Sequence, residues 1–170
     1  MRIKALVMLL LIINSTIAFA APINNLEEGQ SVLGIMVQGG DFNSSFFGET
    51  QVGSSITVGF QIASCSNNLS VSDFYAQYRL DSVMDNPVRI ILGNKSYDSK
   101  GGLYMGAGVS NQFSEELDGY ASATFGSGFQ DYQLGVNYNL SDNAILNLSY
   151  RVFKYDETKN GAGLGIMCKF

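Results

Sequence analysis

Residues 131–140 read Asp-Tyr-Gln-Leu-Gly-Val-Asn-Tyr-Asn-Leu, and every second one is apolar. Tyr132, Leu134, Val136, Tyr138 and Leu140 fall on one side, with Asp131, Gln133, Gly135, Asn137 and Asn139 on the other. A repeat of two belongs to a pleated strand, whose successive side chains point to opposite faces. The segment therefore predicts a strand with two chemically different faces.

The same repeat runs outward in both directions. From Ala144 to Lys154, Leu146, Leu148, Tyr150 and Val152 oppose Asn147, Ser149 and Arg151. Upstream, Leu103, Met105, Ala107 and Val109 oppose Tyr104, Gly106, Gly108 and Ser110; Val88, Ile90 and Leu92 oppose Arg89 and Gly93; Ile56, Val58, Phe60 and Ile62 oppose Thr57, Gly59 and Gln61. No segment after residue 30 has helical spacing. Turn signals separate the runs: Gly39-Gly40-Asp41, Gly53-Ser54-Ser55, Ser66-Asn67-Asn68, Asp81 to Asn86, Asp98 to Gly102, Ser114 to Leu117, Gly126-Ser127-Gly128, Ser141-Asp142-Asn143 and Asp156 to Gly161. Nine connections predict about ten strands, each near the roughly 9 to 11 residues that a tilted strand needs to cross a bilayer. Eight strands is the competing count, because Phe42 to Thr50 alternates poorly and suits a long loop. Either number is even and places both ends of the chain on one side.

The chain begins differently. Arg2 and Lys4 precede an apolar run from Ala5 to Ile13, and Ala18-Phe19-Ala20 offers small residues for a signal peptidase. The run is far shorter than the roughly 20 residues of a membrane-spanning helix, so residues 1–20 read as a cleavable signal peptide. Residues 21–29 then read as a periplasmic N-terminal segment and 30–170 as one domain. Removing Arg2 and Lys4 leaves eight basic against fifteen acidic residues, a net charge of −7, which argues against a nucleic-acid partner. Cys65 and Cys168 are the only thiols; in a barrel Cys65 falls in an outward loop and Cys168 near the opposite end, so two separate free cysteines are expected.

Alternation alone does not say which face meets water. A soluble barrel would expose the second face, where Lys and Glu are usually abundant. Here that face carries Gly, Ser, Asn, Gln and Tyr, and only 15% of the chain is charged. Small uncharged polar residues suit a narrow interior filled by side chains, with the apolar face turned to lipid. Closure also satisfies every backbone hydrogen bond, as hydrocarbon demands. The fold expected is an all-β, closed, antiparallel, up-and-down transmembrane barrel. Tyr78, Phe113, Tyr138 and Phe170 then lie at the periplasmic rim, and Tyr132 and Tyr150 in the outer half, where aromatic girdles form.

The last strand ends on Phe170, with Leu164, Ile166 and Cys168 on its face and Gly165 before them. This ending, the signal peptide and the alternating segments resemble the small bacterial outer-membrane barrels of the OmpA and OmpX kind. Cys168 stands where that family more often has an aromatic residue. The resemblance implies an outer-membrane location, embedding in outer-membrane lipid as a monomer, and recognition of Gly165, Ile166, Cys168 and Phe170 by the barrel-assembly machinery. The enzymes among such barrels use histidine, and this chain contains none. Ser-His and Asp-His catalysis are thereby excluded, and two separated cysteines form no transition-metal cluster. No catalytic role, cofactor or metal is expected.

Asp73, Arg79, Arg89, Asp131, Arg151 and Lys169 share the polar parity and are expected to form a charge network in the lumen. Such charges either pair as a plug or line a narrow path for ions. Glu27, Glu28, Asp81, Asp85, Glu115, Glu116 and Asp142 map to the periplasmic side, whereas Lys95, Lys100, Lys154 and Lys159 map near the outer loops. These four lysines are the candidate contacts for lipopolysaccharide phosphates. The expected role is a structural or passive narrow-pore protein. Adhesion is the alternative, though loops of about four to six residues are ordinary hairpin lengths; a soluble periplasmic carrier would need the faces inverted.

Overall fold

The computed structural model describes residues 23–65, 70–80, 87–97 and 100–170. The predicted signal peptide 1–20, the Ser66-Asn67-Asn68 turn, and Asp81 and Asp85 lie outside the described residues. Ten strands form: β1 Ser31–Gln38, β2 Phe42–Gly53, β3 Ile56–Cys65, β4 Ser70–Leu80, β5 Val88–Tyr97, β6 Lys100–Gln112, β7 Leu117–Gly126, β8 Phe129–Ser141, β9 Ala144–Lys154 and β10 Thr158–Lys169. Each pairs antiparallel with its sequence neighbours, and β1 closes on β10 to complete the barrel. The seam is anchored where Ser31 and Phe170 exchange both backbone hydrogen bonds, at 2.8 and 2.9 Å.

Phe42 to Thr50, the stretch that alternates poorly, is strand throughout. Register shifts between Phe42 and Ser44 and between Gln51 and Gly53 mark irregularities in the β2–β3 ladder. An extra residue in one strand moves every later side chain to the opposite parity. Gly48 adds to the confusion: it has no side chain to show, and Leu33 and Phe60 lie over it. With β2 a strand, the count is ten and not eight.

The wall is inside out relative to a water-soluble protein. Leu103, Val37 and Phe74 are 78%, 71% and 67% exposed on the outer surface. Arg89, Gln133, Asn147 and Asp131 are buried in the bore. So large an apolar surface is stable only against hydrocarbon. Tyr78, Phe113, Tyr138 and Phe170 are exposed at the end where β1 begins and β10 ends, matching the expected rim. Tyr150 is also exposed, whereas Tyr132 is covered by the Phe125 ring and by Lys154.

Inside, aromatic rings fill the room that glycines leave on the facing strand. Gly59 pairs with Tyr75, Gly93 with Tyr104 and Gly135 with Tyr120. A Cβ at any of these glycines would sit 2.5–2.6 Å from the partner's ring, far inside contact distance. The rings lie flat against the wall and narrow the bore.

Both cysteines are free. Cys65, expected in an outward loop, is the last residue of β3 and is buried in the bore. The strand simply runs further than the turn signal suggested. Cys168 lies exposed on the outer wall of β10.

Candidate functional site

The bore is filled in layers from the outer end inward. Nearest the outer end, Phe42, Cys65, Val71, Tyr97, Phe129 and Phe153 belong to one buried apolar cluster with Tyr155 packed on it. Tyr97 meets Phe129 and Phe153 edge to face, with ring centroids 5.3 and 5.5 Å apart. These residues come from β2, β3, β4, β5, β8 and β9, so the layer reaches across the barrel.

Beneath it lies a buried ion cluster. Asp131 on β8 accepts from Arg151 Nε at 3.0 Å and Nη2 at 2.6 Å, and also from Lys95 Nζ. Lys95 reaches Asp73 at 3.0 Å, and Tyr104 donates its hydroxyl proton to Asp73 at 2.7 Å. Two acids face two bases, all buried and neutral as a set. The Lys95 ammonium also stands 5.1 Å from the Tyr104 ring centre and 5.5 Å from that of Phe129, tying the cluster to the aromatic layer.

The expected lumen network is thus divided. Asp73, Asp131 and Arg151 come together; Arg89 lies in a separate layer; Arg79 bonds the Ser54 carbonyl at the rim, 2.7 Å away; and Lys169 is half-buried at the end of β10. Lys95 corrects the expectation that it faces lipopolysaccharide. It is fully buried, because Arg89, Ile91, Gly93 and Lys95 share the inward side of β5 and that strand continues to Tyr97. Parity along β5 already carried this signal. Glu49 and Tyr104 are the other members of the interior that the charge pattern missed, Glu49 because it lies in the irregular strand β2.

A polar layer follows. Tyr120 OH accepts from Gln133 Nε2 and Asn147 Nδ2, both at 3.1 Å, and Asn147 donates to Asn137 Oδ1 at 2.7 Å. Across the bore, Glu49 accepts from Tyr75 OH and Gln77 Nε2, both at 2.9 Å.

The last layer is built by the described part, residues 23–29, of the 21–29 stretch expected as a periplasmic segment, together with Gln30. Glu27 and Glu28 are exposed at that end, but Ile23, Asn24 and Leu26 are buried, having turned back into the bore. Gln30 N donates to Glu27 O at 3.0 Å, and Gly29 has φ +85°, the left-handed value that a type II turn requires at its third position. Asn24 Nδ2 donates to Glu49 Oε2 at 2.6 Å, while Asn24 O accepts from Arg89 Nη2 at 3.2 Å. Asn137 Nδ2 donates to Ile23 O, also at 3.2 Å. Leu26 joins Val32, Met36, Phe47, Ile145 and Met167 in a second apolar cluster.

Of the lysines expected at the outer end, Lys100 is exposed and pairs with Asp156 at 3.3 Å, and Lys159 pairs with Glu157 at 3.2 Å. Lys154 extends over the Tyr132 ring, 5.6 Å from its centre, on the lipid-facing parity of β9. At the other end, Ile166, Cys168 and Phe170 are exposed on the outer wall, and Gly165 is buried against the backbone of β1. Among the described residues no cluster of acids and cysteines is arranged to hold a metal.

No protein-family model and no curated protein matches the sequence. Solved structures do resemble it in shape. The KdgM porin aligns with a TM-score of 0.51 at 7% identity, over 83% of this chain and 99% of that one. An outer membrane channel from Pseudomonas putida F1 aligns with a TM-score of 0.50 at 10% identity, over 89% of this chain and all of the other. At such identities the likeness is one of fold. What the chain shares with them is a closed, antiparallel, up-and-down wall of strands, here ten, with its apolar face outward.

Proposed function

We propose that the protein is a non-enzymatic, integral barrel of the bacterial outer membrane with a structural role and a shut bore. The observation that carries this reading is the buried Lys95–Asp73–Asp131–Arg151 cluster beneath the aromatic layer. Ions that conduct need unpaired, hydrated charges along their path, whereas these charges neutralise one another away from water. The missing histidine supports a role without catalysis. Adhesion gains little support from the outer connections, since 39–41, 127–128 and 155–157 are too short to offer a partner much surface.

Planar-bilayer recording of the purified protein tests the reading, together with migration on gels before and after heating. A closed barrel shifts its mobility on heating and gives no steady current. Stable, ion-selective steps would replace the structural role with that of a narrow passive pore. Recovery in the soluble periplasm after osmotic shock would overturn the membrane location itself.

Lipopolysaccharide is the proposed partner at the outer rim, through Lys154 above all. Lys100 and Lys159 already have acidic partners, while Lys154 lies along the wall with its ammonium at an aromatic girdle.

A further inference from the structure

The segment that enters the bore is held as a bound peptide would be. Its hydrogen-bond partners around the bore include Glu49 on β2, Arg89 on β5, Ser110 on β6 and Asn137 on β8, and Leu26 packs in a cluster with residues of β1, β2, β9 and β10. Ser110 Oγ and Arg89 Nη2 both reach Asn25 Oδ1, each at 3.2 Å. Ile23 places its Cδ1 where a side chain at Gly108 would otherwise be. Asn24 lies between an acid and a base and serves both. Its side-chain amide donates to the Glu49 carboxylate and its main-chain carbonyl accepts from the Arg89 guanidinium. An aspartate there would set a second carboxylate against Glu49, and an apolar residue would leave the Glu49 oxygen without its amide donor.

No strand ladder depends on this segment. The β1–β2 and β1–β10 ladders begin at Ser31 and Val32, and two backbone bonds form the tether, Gly29 N donating to Gln51 O and Gln51 N to Gln30 O, both at 2.9 Å. Leaving the bore therefore requires the Glu27–Gln30 turn to open and nothing in the wall to break.

We propose that the mouth of the barrel where β1 begins and β10 ends is a peptide-binding site that selects a neutral side-chain hydrogen-bond donor opposite Glu49, and that residues 23–26 are its tethered occupant. The proposal rests on the membrane reading above only for the side from which a peptide enters. Peptide uptake and bore conductance are separate measurements, so either can fail alone.

Hydrogen exchange on the full-length protein in detergent gives the first test. The amides of 24–26 are expected to exchange at least tenfold more slowly than in the free peptide. In the Asn24→Asp variant they should exchange at least tenfold faster than in the native protein, with the strands still protected and the heat-dependent gel shift intact. A synthetic peptide of residues 21–30 should then bind that variant one to one, and the same peptide carrying Asn24→Asp at least tenfold more weakly. A second form does not require the variant to fold: a protease site placed between Glu28 and Gly29 is cut after the barrel has formed. The released segment should remain bound and then exchange with labelled peptide. Exchange at 24–26 as fast as in the free peptide, unchanged exchange in the Asn24→Asp variant, or an emptied barrel that takes up no peptide would each overturn the proposal.

Discussion

Asp131 is the residue on which the interior charge balance turns. Its two oxygens take three charge-assisted bonds, two from Arg151 and one from Lys95, and the carboxylate is fully buried. Asp131→Asn keeps the shape but removes the charge, leaving two buried cations to share Asp73. Breaking a buried pair on one side costs about 3–5 kcal/mol, so the urea midpoint of the folded barrel should fall by a corresponding margin. A variant as stable as the native protein would mean that the cluster is hydrated and open. The partners of Asp131 were only partly legible in the sequence. Arg151 follows from the alternation of Ala144–Lys154. Lys95 was misplaced by its nearness to a turn, although pleat and not distance from a turn decides which way a side chain points.

Among elements, the glycine–aromatic pairs couple neighbouring strands more tightly than hydrogen bonding alone. Gly135→Ala on β8 must displace the Tyr120 ring of β7, which itself accepts two side-chain hydrogen bonds. Overpacking of this sort costs about 1–3 kcal/mol, measurable as a lower urea midpoint. In a Tyr120→Ala background the same substitution should cost almost nothing, because the obstructing ring is gone; additive losses would argue against direct contact. Strand β9, and β8 as far as the irregularity between Asn139 and Ser141, could be read residue by residue from their period. Strand β2 could not, since register shifts near both of its ends reverse parity there and Gly48 shows no side chain. The folded-back segment left a fainter trace: Ile23 and Leu26 stand as isolated apolar residues before the Glu27–Gln30 turn, and two residues make no period.

For the whole molecule, strand number and facing were legible because each was written many times over, in nine turns and in an interior face dominated by Gly, Ser, Asn, Gln and Tyr. The contents of the bore were not, because they depend on contacts between strands distant in sequence. The outer charges also belong to this scale. If Lys154 meets lipid phosphates, Lys154→Glu should lower the lipopolysaccharide that copurifies with the barrel more than Lys100→Glu or Lys159→Glu does, and the difference should shrink with salt. Equal retention in all three variants would remove that partner. The pairing of Ser31 with Phe170 has its own consequence. The bonds that shut the wall join the first residue of β1 to Phe170, just past the end of β10, so an intermediate in which either strand is undocked leaves edges bare to hydrocarbon. Contacts of such sequence separation form slowly. A chain in which β10 has not docked would remain an open sheet, with β1 and β9 each offering a bare edge to anything that pairs with a strand.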